Sequence, residues 1–169
     1  KVGLEMDRRR KGLSKGYILR AAEDSLRRLQ TDYIDVYQSH RDDPDTPLDE
    51  TLQAYAELIE QGKVRAIGAS NYSAERLSRA LALSRRHGLP RYESLQMEYN
   101  LYDRAEYEET LEPVCIENAL GVLTYFSLAS GFLTGKYKSP ADVTNKARGD
   151  FVKKYMNERG FRIVDALDQ

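Results

Sequence analysis

The sequence predicts an α/β fold: a (β/α)8 TIM barrel, of which the chain covers about five β/α units. Three observations predict it. Strand-length runs of β-branched and aromatic residues alternate with longer runs of helical period. The polar residues at successive strand ends, His40, Asn71, Asn100 and Ser127, recur roughly 30 residues apart, the spacing of βαβ units in a parallel sheet. No Gly-x-Gly-x-x-Gly turn follows a strand, so the fingerprint of a doubly wound dinucleotide fold is missing. A doubly wound sheet binds at one switch point, whereas here every strand ends in polar residues, as at the catalytic face of a barrel. A full barrel takes about 250 residues. With 169 residues, opening on Lys1-Val2-Gly3 and closing inside a helical pattern, the chain is expected to be a single partial barrel domain over residues 1–169.

The elements follow in order. A first helix is predicted from Ser14, its N-cap, to about Leu29, with Ile18, Ala22, Ser25, Leu26 and Leu29 on one face. Residues 33–40 read as a strand. Thr46 then caps a second helix with Pro47 at its first position, Leu48, Leu52, Tyr55 and Ile59 as its buried stripe, and Gly62 at its end. Residues 64–71 form a second strand. Ser73 caps a third helix, with Leu77, Leu81 and Ser84 inward, and Gly88 and Pro90 stop it. A third strand spans 93–100, a helix spans about 110–120, and a fourth strand spans 121–125. Lys1-Val2 reads as the tail of an earlier strand.

Bulk properties narrow the partners. Basic and acidic residues number 26 and 27, and the net charge is −1. That balance argues against nucleic acid and anionic membrane as partners. The basic run Arg8-Arg9-Arg10-Lys11 is read as a solvated loop. The single cysteine, Cys115, lies among apolar neighbours and reads as a small core residue. With no internal disulfide, membrane span or signal peptide in view, the expected location is cytoplasmic.

The chemistry concentrates at the strand tips. His40 ends a strand, where barrel enzymes place functional groups. His87, at a helix end before Gly88, reads as a C-terminal cation. Ser70, Asn71 and Gln96 offer groups that both donate and accept. They suit a carboxamide or a sugar; for Ser70 and Asn71, capping of the next helix is the competing reading. The run Tyr125 to Gly131 leaves its strand with small residues that let backbone N–H groups approach an anion. Metal-ligand spacing and a nucleophile elbow are missing, and adjacent Asp42 and Asp43 do not read as a glycosidase pair.

Four stretches together resemble the aldo-keto reductase family, in order and at normal spacing. They are 32–40, 45–51, 62–71 and 128–137 (Leu-Ala-Ser-Gly-Phe-Leu-Thr-Gly-Lys-Tyr). The likeness is to bacterial NADP-dependent reductases and to the related potassium-channel β-subunits. It implies the following roles. Lys1 and His40 resemble the catalytic lysine and histidine. Ser70, Asn71 and Gln96 resemble the residues that bind the nicotinamide carboxamide, and Tyr125 the aromatic that stacks on the ring. Phe126, where many relatives have serine, joins Ser127, Leu128, Ala129 and Ser130 of the pyrophosphate loop. Lys136 and Arg148 resemble cations near the cofactor phosphates. Met97 follows Gln96 where proline is common. The family's acid tyrosine and its aspartate belong ahead of Lys1, and the 2′-phosphate site belongs to a last strand beyond these residues.

The resemblance thus implies an oxidoreductase that reduces small aldehydes or ketones by hydride transfer from NADP(H). Two alternatives stand beside it: a cofactor-binding regulatory subunit like the channel β-subunits, and an inactive fragment of the enzyme. An open sheet exposes apolar edges, so the chain alone is expected to self-associate, aggregate or need further strands.

Overall fold

Helical and strand periods alternate along the computed structural model as they do in the sequence. The structure describes residues 1–4, 12–144 and 149–168. Arg148 and the run Arg8 to Lys11 lie outside the described residues. In order, the elements are α1 (Lys15–Leu29), β1 (Ile34–Ser39), α2 (Leu48–Glu60), β2 (Val64–Ser70), α3 (Ala74–His87) and β3 (Tyr92–Glu98). A π-turn (Tyr107–Leu111), α4 (Glu112–Glu117) and β4 (Gly121–Tyr125) follow. Two 3₁₀ segments (Ala129–Thr134 and Pro140–Val143), α5 (Gly149–Lys153) and α6 (Glu158–Leu167) complete the described chain.

The strands lie in the order β1-β2-β3-β4. The β1–β2 and β2–β3 pairs are parallel. Each strand neighbours the one before it, with no reversal of order. That is the succession of barrel units, and it agrees with a partial (β/α)8 barrel. Val2 forms a parallel bridge to Ser39, donating its N–H to Gln38 O at 2.9 Å. Val2 thus extends the sheet beside β1 by a single bridge.

Two compact units divide the chain: residues 1–97 with 110–123, and residues 98–109 with 124–169. In the first, the helices cover one sheet face. Tyr37, Ser39, Ile67, Ala69, Tyr92 and Leu95 are buried there, and Tyr55 of α2 meets Tyr37 and Tyr92 edge-on. An irregularity between Ile67 and Gly68 passes over Glu93 in the pairing. This bulge puts both Tyr92 and Leu95 on the helix side, where plain alternation would part them. The opposite face carries Gln38, Gly68 and Ser94, and exposes Val36 and Leu123. In a closed barrel that face lines the lumen.

The second unit packs Ala129, Phe132, Leu133, Tyr137, Val143, Val152, Tyr155 and Val164 into a small core. Phe132 stacks on Tyr155 at 5.8 Å. Asn157 caps α6 by accepting from Gly160 N at 3.1 Å.

Several sequence expectations need correction. Ser14 stands at the N-cap position of α1, but its side chain makes no capping bond. Thr46 does not cap α2. Pro47 keeps an extended backbone, the helix starts at Leu48, and the Thr46 hydroxyl donates to Asp43 Oδ2 at 2.6 Å. Leu29 is 64% exposed: helical spacing keeps it in line with Ile18, Ala22 and Leu26, but it is the last residue of α1, where the buried stripe has run out. The helix expected over about 110–120 is a π-turn running into the six residues of α4. By contrast, Ser73 accepts from Arg76 N at 3.2 Å and caps α3, and Gly88 ends it in the left-handed conformation. Cys115 is buried in α4, and burial pushes its thiol pKa up.

Candidate functional site

In the first unit the tips of three strands and of the Val2 bridge hold Lys1, His40, Ser70, Asn71 and Gln96 together. The His40 backbone is set by its own N–H, which donates to Val2 O at 2.6 Å. Its carbonyl accepts from Asn71 Nδ2 at 2.9 Å. The same amide donates to Ser70 Oγ at 3.2 Å, and Lys1 Nζ donates to that oxygen at 3.0 Å. Asn71 N–H donates to Gln96 O at 3.0 Å. One hydrogen-bonded chain therefore runs from Lys1 through Ser70 and Asn71 to His40.

Asn71 can sit at its centre because its φ of 55 lies in the left-handed region, which asparagine tolerates better than most side chains. Capping of α3 falls to Ser73, so the capping reading of Ser70 and Asn71 does not hold. Ser70 is fully buried, whereas Lys1 is exposed and His40 partly so.

The electrostatics favour a neutral imidazole. Burial, then the positive charges of Lys1 and Arg41, hold the His40 pKa below 6.5. Burial also lowers the Lys1 ammonium from its ordinary value. A neutral imidazole has one N–H to donate, and a nearby ammonium supplies charge without competing for that role.

Two further residues on this face escaped the sequence reading. Gln38 Nε2 and Ser94 Oγ are buried and have no hydrogen-bond partner. They flank Gly68, where an added Cβ would stand 2.5 Å from Ser94 Oγ and 3.0 Å from Gln38 Cγ. Their signal was a polar side chain two positions before His40 and two before Gln96, on the same strand faces.

In the second unit the end of β4 carries Tyr125 and leads into the loop of Phe126, Ser127, Leu128, Ala129 and Ser130. Left-handed residues crowd this loop: Phe126 (φ 53), Ala129 (φ 49), Ser130 (φ 57) and Gly131 (φ 95). Such torsions fold the loop back on itself: Ala129 N donates to Phe126 O at 2.6 Å and Gly131 N to Leu128 O at 2.8 Å. Ser130 Oγ is buried in it without a hydrogen-bond partner. Lys136 lies across Gly131, with Nζ 3.2 Å from where a Cβ would be. Glycine is needed at 131 for its φ of 95; a Cβ there would displace only the end of the flexible Lys136 side chain. An orphaned hydroxyl, a lysine and a left-handed loop fit a phosphate group.

Tyr125 is partly buried and packs against Phe126 at 5.3 Å, edge to face. Among the described residues there is no cluster of three or more His, Cys, Asp or Glu able to hold a metal, and no helix is long and apolar enough to cross a membrane.

The chain belongs to the aldo/keto reductase family, whose model matches residues 1–169. It is 43% identical over 123 residues to the aldo-keto reductase YhdN of Bacillus subtilis, covering 73% of this chain and 35% of that protein. It is 35% identical over 165 residues to the L-glyceraldehyde 3-phosphate reductase of Escherichia coli K12, covering 94% of this chain and 47% of the relative. A probable voltage-gated potassium channel subunit beta of rice is 39% identical over 135 residues, with 78% and 41% covered. The chain thus spans half or less of the length of each of these relatives.

Proposed function

We propose that the full-length protein reduces small aldehydes or ketones with NADPH. The hydrogen-bonded chain from Lys1 through Ser70 and Asn71 to His40 carries this reading. When bound, the dinucleotide supplies the hydride. Ser70, Asn71 and Gln96 are the groups assigned to its carboxamide and Tyr125 to its ring. Phe126, Ser127, Leu128, Ala129, Ser130 and Lys136 are assigned to its phosphates.

The chain's own residues manage the charge. Negative charge grows on the carbonyl oxygen as the carbon is reduced, and the neutral His40 imidazole donates a hydrogen bond to it. The proton comes from the tyrosine that the family resemblance sets ahead of Lys1. A phenol's ordinary pKa of about 10 is too high for efficient transfer at neutral pH, and the Lys1 ammonium lowers it.

The test is kinetic, on the full-length protein with NADPH and a panel of small aldehydes. Lys1→Ala and His40→Ala are each expected to lower kcat by about 10²- to 10⁴-fold. Turnover that survives both substitutions contradicts the assigned roles.

The similarity to channel β-subunits supports a second reading, a protein that holds the dinucleotide and regulates a partner. Tight NADPH binding with no turnover on any carbonyl would select it.

A further inference from the structure

Asn100 is a strand-tip residue that the reaction leaves without a role, yet its side chain is among the most heavily bonded in the second unit. It is 3% exposed. Its Oδ1 accepts from Tyr102 N and Asp103 N, each at 2.9 Å. Its Nδ2 donates to Asp103 Oδ2 and to Phe126 O, each at 3.3 Å. These partners fix which end of the amide is nitrogen, since two backbone donors face one end and two acceptors the other. Asp103 is itself held, accepting from Tyr155 OH at 2.7 Å and from Lys154 Nζ at 3.1 Å.

The contact to Phe126 is the informative one. Phe126 is the residue at which the chain leaves β4 for the loop, and its φ of 53 is costly for a phenylalanine. A strained residue persists when its surroundings over-determine it. Here its carbonyl accepts from Asn100 Nδ2 and from Ala129 N at 2.6 Å, and the preceding carbonyl, Tyr125 O, accepts from Tyr99 N at 3.3 Å. Tyr125 stands immediately before this turn and Ser127 to Ser130 immediately after it. The conformation of Phe126 therefore sets the direction of both.

We infer that Asn100 is a positioning residue for the cofactor: its amide clamps Phe126 in the left-handed conformation and so fixes Tyr125 and the phosphate loop for binding. This rests on the dinucleotide reading above.

Asn100→Asp keeps an acceptor for Tyr102 N and Asp103 N but has no donor for Phe126 O or for Asp103 Oδ2. In the ligand-free full-length protein, hydrogen exchange of residues 126–130 is expected to quicken about tenfold, with β1, β2 and β3 unchanged. The Kd for NADPH should rise about fivefold to tenfold, with kcat at saturating cofactor within twofold of the parent. Adding Phe126→Gly, which enters the left-handed region without strain, should recover part of the lost affinity relative to Asn100→Asp alone.

Unchanged exchange at 126–130 overturns the clamp. Faster exchange with unchanged Kd overturns its role in binding. Loss of the whole fold in Asn100→Asp also overturns the inference, since a clamp on one turn leaves the rest standing. If the unsubstituted protein binds neither NADPH nor NADH, the dinucleotide reading fails, and the exchange experiment still decides whether Asn100 holds the turn.

Discussion

A neutral imidazole at position 40 has consequences that a pH series would expose. Burial, followed by Lys1 and Arg41, depresses the His40 pKa below 6.5. The folded protein therefore holds that proton less well than the unfolded chain. The stability contributed by neutral His40 is complete above about pH 6.5 and is lost as pH falls through the lower folded value. Urea midpoints of the full-length protein should fall on acidification below pH 6.5, and the slope should be shallower in His40→Gln. An equal slope in both proteins would mean that the imidazole is not depressed. Gly68 makes a second residue-scale case. A Cβ there meets Ser94 Oγ and Gln38 Cγ in a buried layer, so Gly68→Ala should cost about 1–2 kcal/mol in denaturant unfolding. Removing the nearer obstacle with Ser94→Ala should recover part of that loss.

Between the sheet and its helices, four hydroxyls tie elements that are far apart in sequence. Ser39 Oγ of β1 contacts Tyr55 OH of α2 at 2.7 Å and Tyr92 OH of β3 at 3.1 Å. Tyr72, between β2 and α3, contacts Tyr92 OH at 3.1 Å. Tyr92 bridges two partners in a fully buried position, so Tyr92→Phe takes a buried partner from both Ser39 and Tyr72 and should cost about 1–3 kcal/mol. The Tyr55→Phe and Tyr92→Phe costs should be non-additive, because both act on Ser39. Additive losses in a denaturant double-mutant cycle would deny the network. None of this was legible in the sequence, where Tyr55 reads as one more apolar position of a helical stripe. The bulge at Glu93 and the π-turn at Tyr107–Leu111 were equally hidden, since each is a local departure imposed by packing. The elements themselves were legible, because their hydrophobic periods and their Gly and Ser punctuation are local signals.

At the scale of the molecule, the succession of parallel strands could be anticipated because polar tips recur at a regular spacing, and spacing survives small errors in element ends. The same tips supplied most of the candidate site. What the spacing could not supply was how the tips are wired. Asn71 links His40 to Ser70, Asn100 holds Phe126, and Gln38 and Ser94 lie buried without partners. Those facts depend on backbone torsions and on strand register, which no short motif encodes. A bound dinucleotide is the central claim of the proposed function. The most direct measurement is titration calorimetry of the full-length protein with NADPH. Saturable binding is expected, weakened about tenfold when Tyr125→Ala removes the aromatic face assigned to the nicotinamide. No saturable binding by the unsubstituted protein, or binding indifferent to Tyr125→Ala, would contradict it.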